Sequence, residues 1–170
     1  NNDLVQLLGL YRLQKDRMAV VIDEHCVLDI IEEQQIKNRL LCESHDVQIK
    51  IDCDENLMWY FDEYLIASVI NNILVNAIRY TKSVINIKID ESDAFLRISI
   101  TDDGPGFPKH MLKDPASHVA PDKRHASSTC LGLYFASEIA QLHRLKAKRG
   151  SIELSNGGDL GGSNFTMLIP

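Results

Sequence analysis

The chain has 170 residues, 45% hydrophobic and 25% charged, which suits one globular domain with at most a short appendage and excludes disordered or collagen-like structure. Eighteen Lys and Arg against 24 Asp and Glu leave a net charge of −6, the wrong sign for nonspecific nucleic-acid binding. No run of about 18 apolar residues reads as a membrane span, and Cys26, Cys42, Cys53 and Cys130 form no CxxC pair, so they read as reduced thiols of a cytoplasmic protein.

The opening Asn1-Asn2-Asp3 has neither Met nor the basic and apolar regions of a signal peptide, so the chain is expected to be a piece of a longer one. Leu4, Leu7, Leu8 and Tyr11 then recur at helical spacing. That stripe fits an amphipathic helix on its own domain, or half of a helix pair completed elsewhere. Residues 19–22, AVVI, form a short β-type run. Asp23 is placed to cap a helix over roughly 24–43 carrying Leu28, Ile31, Leu40 and Leu41. Val47 to Cys53 alternates apolar and polar residues and predicts a half-buried strand. Asp62 opens a second helix, roughly 62–81. SVINIKID and AFLRISITDDG, joined through Glu91-Ser92-Asp93, read as a hairpin running into a glycine turn. Residues 107–129 read as a long loop, residues 131–145 as a third helix, and the end as two strands around a glycine-rich turn. The class is α+β: a two-layer sandwich, with a mixed sheet carrying about three helices on one face and a short N-terminal helix before it.

Two segments carry candidate chemistry. In the helix DEYLIASVINNILVNAIRYT, Leu65, Ile66, Val69, Ile70, Ile73 and Ala77 make a core face, while Ser68, Asn72, Asn76 and Arg79 make a polar stripe. Asn prefers caps and turns, so two of them in mid-helix need a reason. Either they bond to a neighbouring backbone or they floor a ligand site. An Asn carbonyl oxygen is a hard donor suited to Mg²⁺, and Arg79, one turn on, is placed to meet phosphate. The second segment is Asp102-Asp103-Gly104-Pro105-Gly106 at the end of a strand. By itself it is a turn. With a partner site, the acceptor-only carboxylate of Asp102 suits an exocyclic amine such as the N6 of adenine, and Gly104 and Gly106 let backbone approach a ring.

NNILVNAIRYT followed by DDGPG resembles the N box and G1 box of the ATP-binding catalytic domain of bacterial sensor histidine kinases, in the GHKL ATPase superfamily. STCLGLYFASEIAQLH stands where that family has its G2 box, and GSNFTMLIP matches its last strand. The resemblance covers roughly 20–170 and implies a Bergerat-type ATP-binding fold. Residues 1–19 look like the C-terminal end of the dimerisation and phosphoacceptor helices. Position by position it implies Asn76 as the Mg²⁺ ligand, Asn72 as the polar residue one turn earlier, Arg79 as the phosphate contact and Tyr80 as the aromatic beside the base. Asp102 becomes the adenine-reading carboxylate, Gly104 and Gly106 the turn glycines, and Ser128, Thr129, Cys130, Leu131 and Gly132 the G2 box at a helix N-terminus suited to phosphate. The family usually has GxGLGL there; Ser128 and Cys130 replace two of its glycines, and no F box is recognisable. The thiol of Cys130 reads either as lying at the mouth of the site or as packed beneath the helix.

The implied function is transfer of the ATP γ-phosphate to a histidine on the dimerisation domain, for relay to a response regulator. ATP and Mg²⁺ are the implied cofactors, and the full-length protein is implied to be a homodimer. No catalytic side chain beyond nucleotide positioning is identified, and the isolated chain is not expected to autophosphorylate. The alternative is a degenerate GHKL module that binds nucleotide weakly and acts through protein contacts. Water-activating members of the superfamily carry a Glu general base where this chain has Asn72, which cannot take a proton. The six histidines, His25, His45, His110, His118, His125 and His143, read as surface or loop residues, with no zinc-site spacing.

Overall fold

The computed structural model describes residues 19–113 and 128–170, so the expected helix near the start lies outside the described residues. Five strands form one sheet in the order β2 (Gln48–Asp52), β4 (Val84–Ser92), β5 (Phe95–Asp102), β9 (Ser163–Ile169) and β8 (Ser151–Asn156). Only the β2–β4 pair is parallel; the others are antiparallel. Helices α1 (Val27–Lys37), α2 (Arg39–His45), α3 (Glu63–Tyr80), α4 (Lys109–Lys113) and α5 (Ser128–Leu142) complete the layer pattern, with α3 packed against α1, α2 and α5. The expected α+β two-layer architecture is the one observed.

Alternation sets the layers. Ile87 of β4, Ile100 of β5 and Phe165 of β9 are in register, as are Ile89, Ile98 and Met167. All six are buried, while their sequence neighbours Lys88, Ser99 and Thr166 share the opposite face. One side chain breaks the apolar pattern. Asp102 continues the inward parity of Leu96, Ile98 and Ile100, pairs with Ile85 and is 4% exposed.

Helix α3 closes over that face. Asp62, expected to open this helix, is its N-cap: its carboxylate accepts from the Leu65 N–H at 3.0 Å. Leu65, Ile66, Val69, Ile70, Ile73, Leu74 and Ile78 are buried. Each such side chain contributes roughly 1.5–3 kcal/mol on burial. The sum far exceeds the ~0.7 kcal/mol at most that each mid-helix Asn costs in propensity. Packing therefore tolerates two asparagines that local preference would reject.

Five points of the sequence reading are corrected. Residues 19–22 are not a strand; the extended segment is β1 (Asp23–Cys26), so Asp23 caps no helix. β1 pairs antiparallel with β3 (Met58–Phe61), which the sequence reading missed. The first helix starts at Val27 and breaks at Asn38, leaving Leu40 71% exposed. The last helix spans 128–142 rather than 131–145, and the short strands β6 (Arg144–Leu145) and β7 (Lys148–Arg149) follow it. Finally, His143 is no surface histidine: it is 2% exposed, accepts from the Asp62 N–H at Nε2 (3.0 Å) and donates from Nδ1 to the Ile139 carbonyl (2.8 Å). This pins the end of α5 to the start of α3. The hairpin between β4 and β5 turns at Asp93 and Ala94, both with positive φ of 54° and 59°.

Candidate functional site

A cavity of about 500 Å³ opens between the second half of α3, the end of β5, the turn after it and the start of β9. Asn76, Tyr80, Asp102 and Gly106 line it, together with apolar walls from Ile73, Ile100, Met111, Leu133 and Phe165. Asp102 is the only carboxylate among the described lining residues. A largely apolar concavity with a few convergent polar groups suits a flat, partly polar ligand.

The Asp102 carboxylate is held from below. Its Oδ1 accepts from the Gly104 N–H at 2.7 Å and the Ser163 N–H at 3.2 Å, and its Oδ2 accepts from the Ser163 hydroxyl. An ionised carboxylate has about four acceptor positions, so one remains for a donor arriving through the cavity. Gly162 presses on the same group. Its N–H donates to the Asp102 carbonyl at 3.0 Å, and a Cβ there would collide with that carbonyl, with Oδ1 and with the Gly104 nitrogen. Gly162 and Ser163 were not expected at the site; the stretch 156–162 reads in sequence as a plain hairpin turn. The signal was the register, because β9 is the strand next to β5.

Asp103 faces the other way. Its Oδ1 accepts from the Thr81 hydroxyl (2.6 Å) and from the N–H groups of Lys82 (2.9 Å), Ser83 (3.0 Å) and Val84 (3.3 Å); its Oδ2 accepts from the Ser83 hydroxyl (2.6 Å). Desolvation pushes this carboxyl up, but the Ser83 and Thr81 hydroxyls and the backbone N–H groups outweigh it and hold the group well below the usual carboxylate range.

The remaining expected residues are placed as follows. Asn72 is 5% exposed and does not line the cavity; its amide abuts Gly132, where any Cβ would overlap the Asn72 Nδ2. Gly132 is therefore the contact at which α5 seats on α3. Gly104 lies under the chain, with its absent Cβ 2.6 Å from the Tyr80 carbonyl oxygen, and Gly106 has a φ of +81°. Leu131 is half-buried and Arg79 is exposed, both outside the cavity lining. Ser128, Thr129 and Cys130 open α5, and their side chains lie outside the described residues, as does the rest of the expected lid from 114 to 127. Among the described residues no cluster of three His, Cys, Asp or Glu side chains could hold a metal, and no helix is long and apolar enough to cross a membrane.

Comparison with known proteins agrees with this geometry. The sensor histidine kinase CssS of Bacillus subtilis is 27% identical over 95% of this chain and 34% of its own length. The sensor-like histidine kinase SenX3 of Mycobacterium tuberculosis is 25% identical over 98% of the chain and 41% of its own length. The chain thus spans well under half of these relatives. Among solved structures, the histidine kinase AdeS of Acinetobacter baumannii superposes with a TM-score of 0.76 at 21% identity, over 98% of this chain and 75% of that one. The catalytic domain of the histidine kinase ThkA gives 0.72 at 22% identity, over 90% of this chain and 96% of that domain. The family described as histidine kinase-, DNA gyrase B-, and HSP90-like ATPase matches residues 61–170, a span that holds α3, the β4–β5 hairpin, the cavity and β9. By that match over most of its length, the chain belongs to this ATPase family.

Proposed function

We propose that residues 20–170 are the ATP-binding catalytic domain of a sensor histidine kinase. It presents the γ-phosphate of ATP to a histidine on a dimerisation domain, for relay to a response regulator, and residues 1–19 are the end of that domain's helices. The observation that carries this reading is Asp102, a carboxylate buried on the sheet's inner face that lines the cavity with three donors on about four acceptor positions. In this reading Asp102 accepts the adenine amine, Tyr80 flanks the base and Gly104 and Gly106 shape the turn. Arg79 and the start of α5 (Ser128, Thr129, Cys130, Leu131, Gly132) meet the phosphates.

Asn76, half-buried at the cavity wall, supplies one hard oxygen. That fits Mg²⁺, which takes one or two protein ligands and fills its octahedron with phosphate oxygens and water. Bound there, Mg²⁺ would neutralise charge on the phosphates. No side chain is needed as general base for the transfer, because the accepting imidazole is already a nucleophile; positioning and charge neutralisation suffice. Asn72 supports the same choice over water activation, since an amide takes no proton and this one is packed against Gly132.

Titration with a fluorescent ADP analogue tests the reading. Wild type binds and Asp102→Asn loses ten- to a hundredfold, about 1.5–3 kcal/mol for a charge-assisted bond in a buried site. Equal affinities overturn the adenine assignment. Absence of binding by wild type favours a degenerate module, the reading to which Ser128 and Cys130 in place of glycines point.

A further inference from the structure

We propose that Asp103 is a positioning residue that sets the Tyr80 ring against the base side of the cavity by clasping the segment after α3. This rests on the nucleotide-binding reading above and concerns a residue that does not touch the ligand. Neighbouring residues at a strand end point to opposite sides, so Asp102 enters the cavity while Asp103 turns to the chain that follows the helix. There one carboxylate gathers five donors from residues 81–84, three of them successive backbone N–H groups, an arrangement that favours an anion. The carboxyl stays ionised at neutral pH, so the clasp is charged throughout the working range.

Tyr80 is the last residue of α3, immediately before the clasped segment, and it is 60% exposed. Among the described residues no hydrogen bond holds its side chain. Its place is therefore set from the backbone, by two contacts. The Thr81 N–H closes the helix on the Ala77 carbonyl at 2.8 Å, and the Gly104 backbone fits beneath the Tyr80 carbonyl. Asp103 secures both, because it joins the residues after Tyr80 to the strand end that leads into Gly104. The same two-residue unit thus supplies the polar contact for the base and fixes the aromatic one.

The experiment is a double-mutant cycle read by fluorescent-ADP titration and thermal melting. Asp103→Ala and Asp103→Asn are each made with Tyr80 and with Tyr80→Ala. Asp103→Ala is expected to weaken binding about tenfold in the Tyr80 background and less than about twofold beside Tyr80→Ala. Asp103→Asn keeps the Oδ1 acceptor and recovers most of the affinity. Inorganic tripolyphosphate, which has no base, binds wild type and Asp103→Ala with equal inhibition constants. A fall in Tm with unchanged affinity, or the same fold-loss in both backgrounds, overturns the proposal. If Asp103→Ala does not fold, Thr81→Val with Ser83→Ala, which removes the two hydroxyl donors of the clasp, decides: its loss of affinity must vanish beside Tyr80→Ala. Wild type that binds no nucleotide refutes the functional reading itself, an outcome distinct from additivity.

Discussion

The base end and the phosphate end of the proposed site are built differently. At the base end, Asp102 is fixed by the Gly104 and Ser163 N–H groups and the Ser163 hydroxyl, and Asp103 by five further donors. Every one of these partners is backbone or a short Ser or Thr hydroxyl, so little side-chain entropy is lost when ligand arrives. The phosphate end relies on Arg79, a long exposed side chain in no ion pair among the described residues, and on the first turn of α5. On the proposed reading, the contrast teaches that the base end is held in place by the fold before ligand arrives, whereas an exposed Arg79 must be ordered by the phosphates.

The largest effect is expected where ligand contact and fold coincide. Gly162→Ala places a methyl against the Asp102 carbonyl and carboxylate, the first being backbone and the second held by the Gly104 and Ser163 N–H groups and the Ser163 hydroxyl. Overpacking of this kind costs about 1–3 kcal/mol, so Tm should fall by roughly 2–4 °C per kcal/mol while nucleotide affinity drops at least as far as in Asp102→Asn. Calorimetry with titration checks both; normal affinity at lowered Tm would separate the base end from the fold.

At the other end, Asn76→Ala is expected to weaken ATP binding several-fold with Mg²⁺ present and to leave Tm and EDTA-condition affinity nearly unchanged, since only a metal ligand is lost. An equal loss in EDTA would make Asn76 structural and bring the two ends closer in kind. Cys130 gives a gentler probe. It lies two residues before Gly132 in the first turn of α5. Bound ATP–Mg²⁺ should slow its alkylation by a maleimide, as peptide mapping would read; equal rates with and without ATP would move the phosphates away from this turn.

The smallest effect concerns pH. Burial lowers the His143 pKa, only partly opposed by its bond to the Ile139 carbonyl and by Asp62. The unfolded chain therefore binds a proton that the folded chain resists, and stability is lost as pH falls below the ordinary histidine value of about 6.5. Asp103, held low, adds its own loss only below the ordinary carboxylate value of about 4. His143→Gln should flatten the upper part of a Tm-against-pH curve. Nucleotide affinity measured along the same curve tells whether the α3–α5 joint reaches the site.

Much of the candidate site was legible because it sits in regular elements. Asn76 and Tyr80 share a helix whose apolar stripe was plain, and Asp102 ends a strand whose parity points it inward. What was missed came from pairings between distant segments. β3 is four residues, MWYF, recognisable only once it meets β1 across more than thirty positions. Ser163 belongs to the site only because β9 lies beside β5. His143 looked like a loop histidine because nothing local reveals that the Asp62 N–H will reach its ring.

By itself the sequence determined the class, the order of the main helices and strands, the helix that opens at Asp62 and the two segments that carry candidate chemistry, since these follow from periodicity and side-chain chemistry within some twenty residues. Tertiary structure alone decided which acceptor of Asp102 stays open, that Asp103 turns away to hold residues 81–84, that Gly132 must lack a Cβ because Asn72 occupies its place, and that Gly162 backs the carboxylate. Those outcomes depend on sub-ångström distances between elements far apart in the chain, and close packing settles such distances only when the whole core has formed.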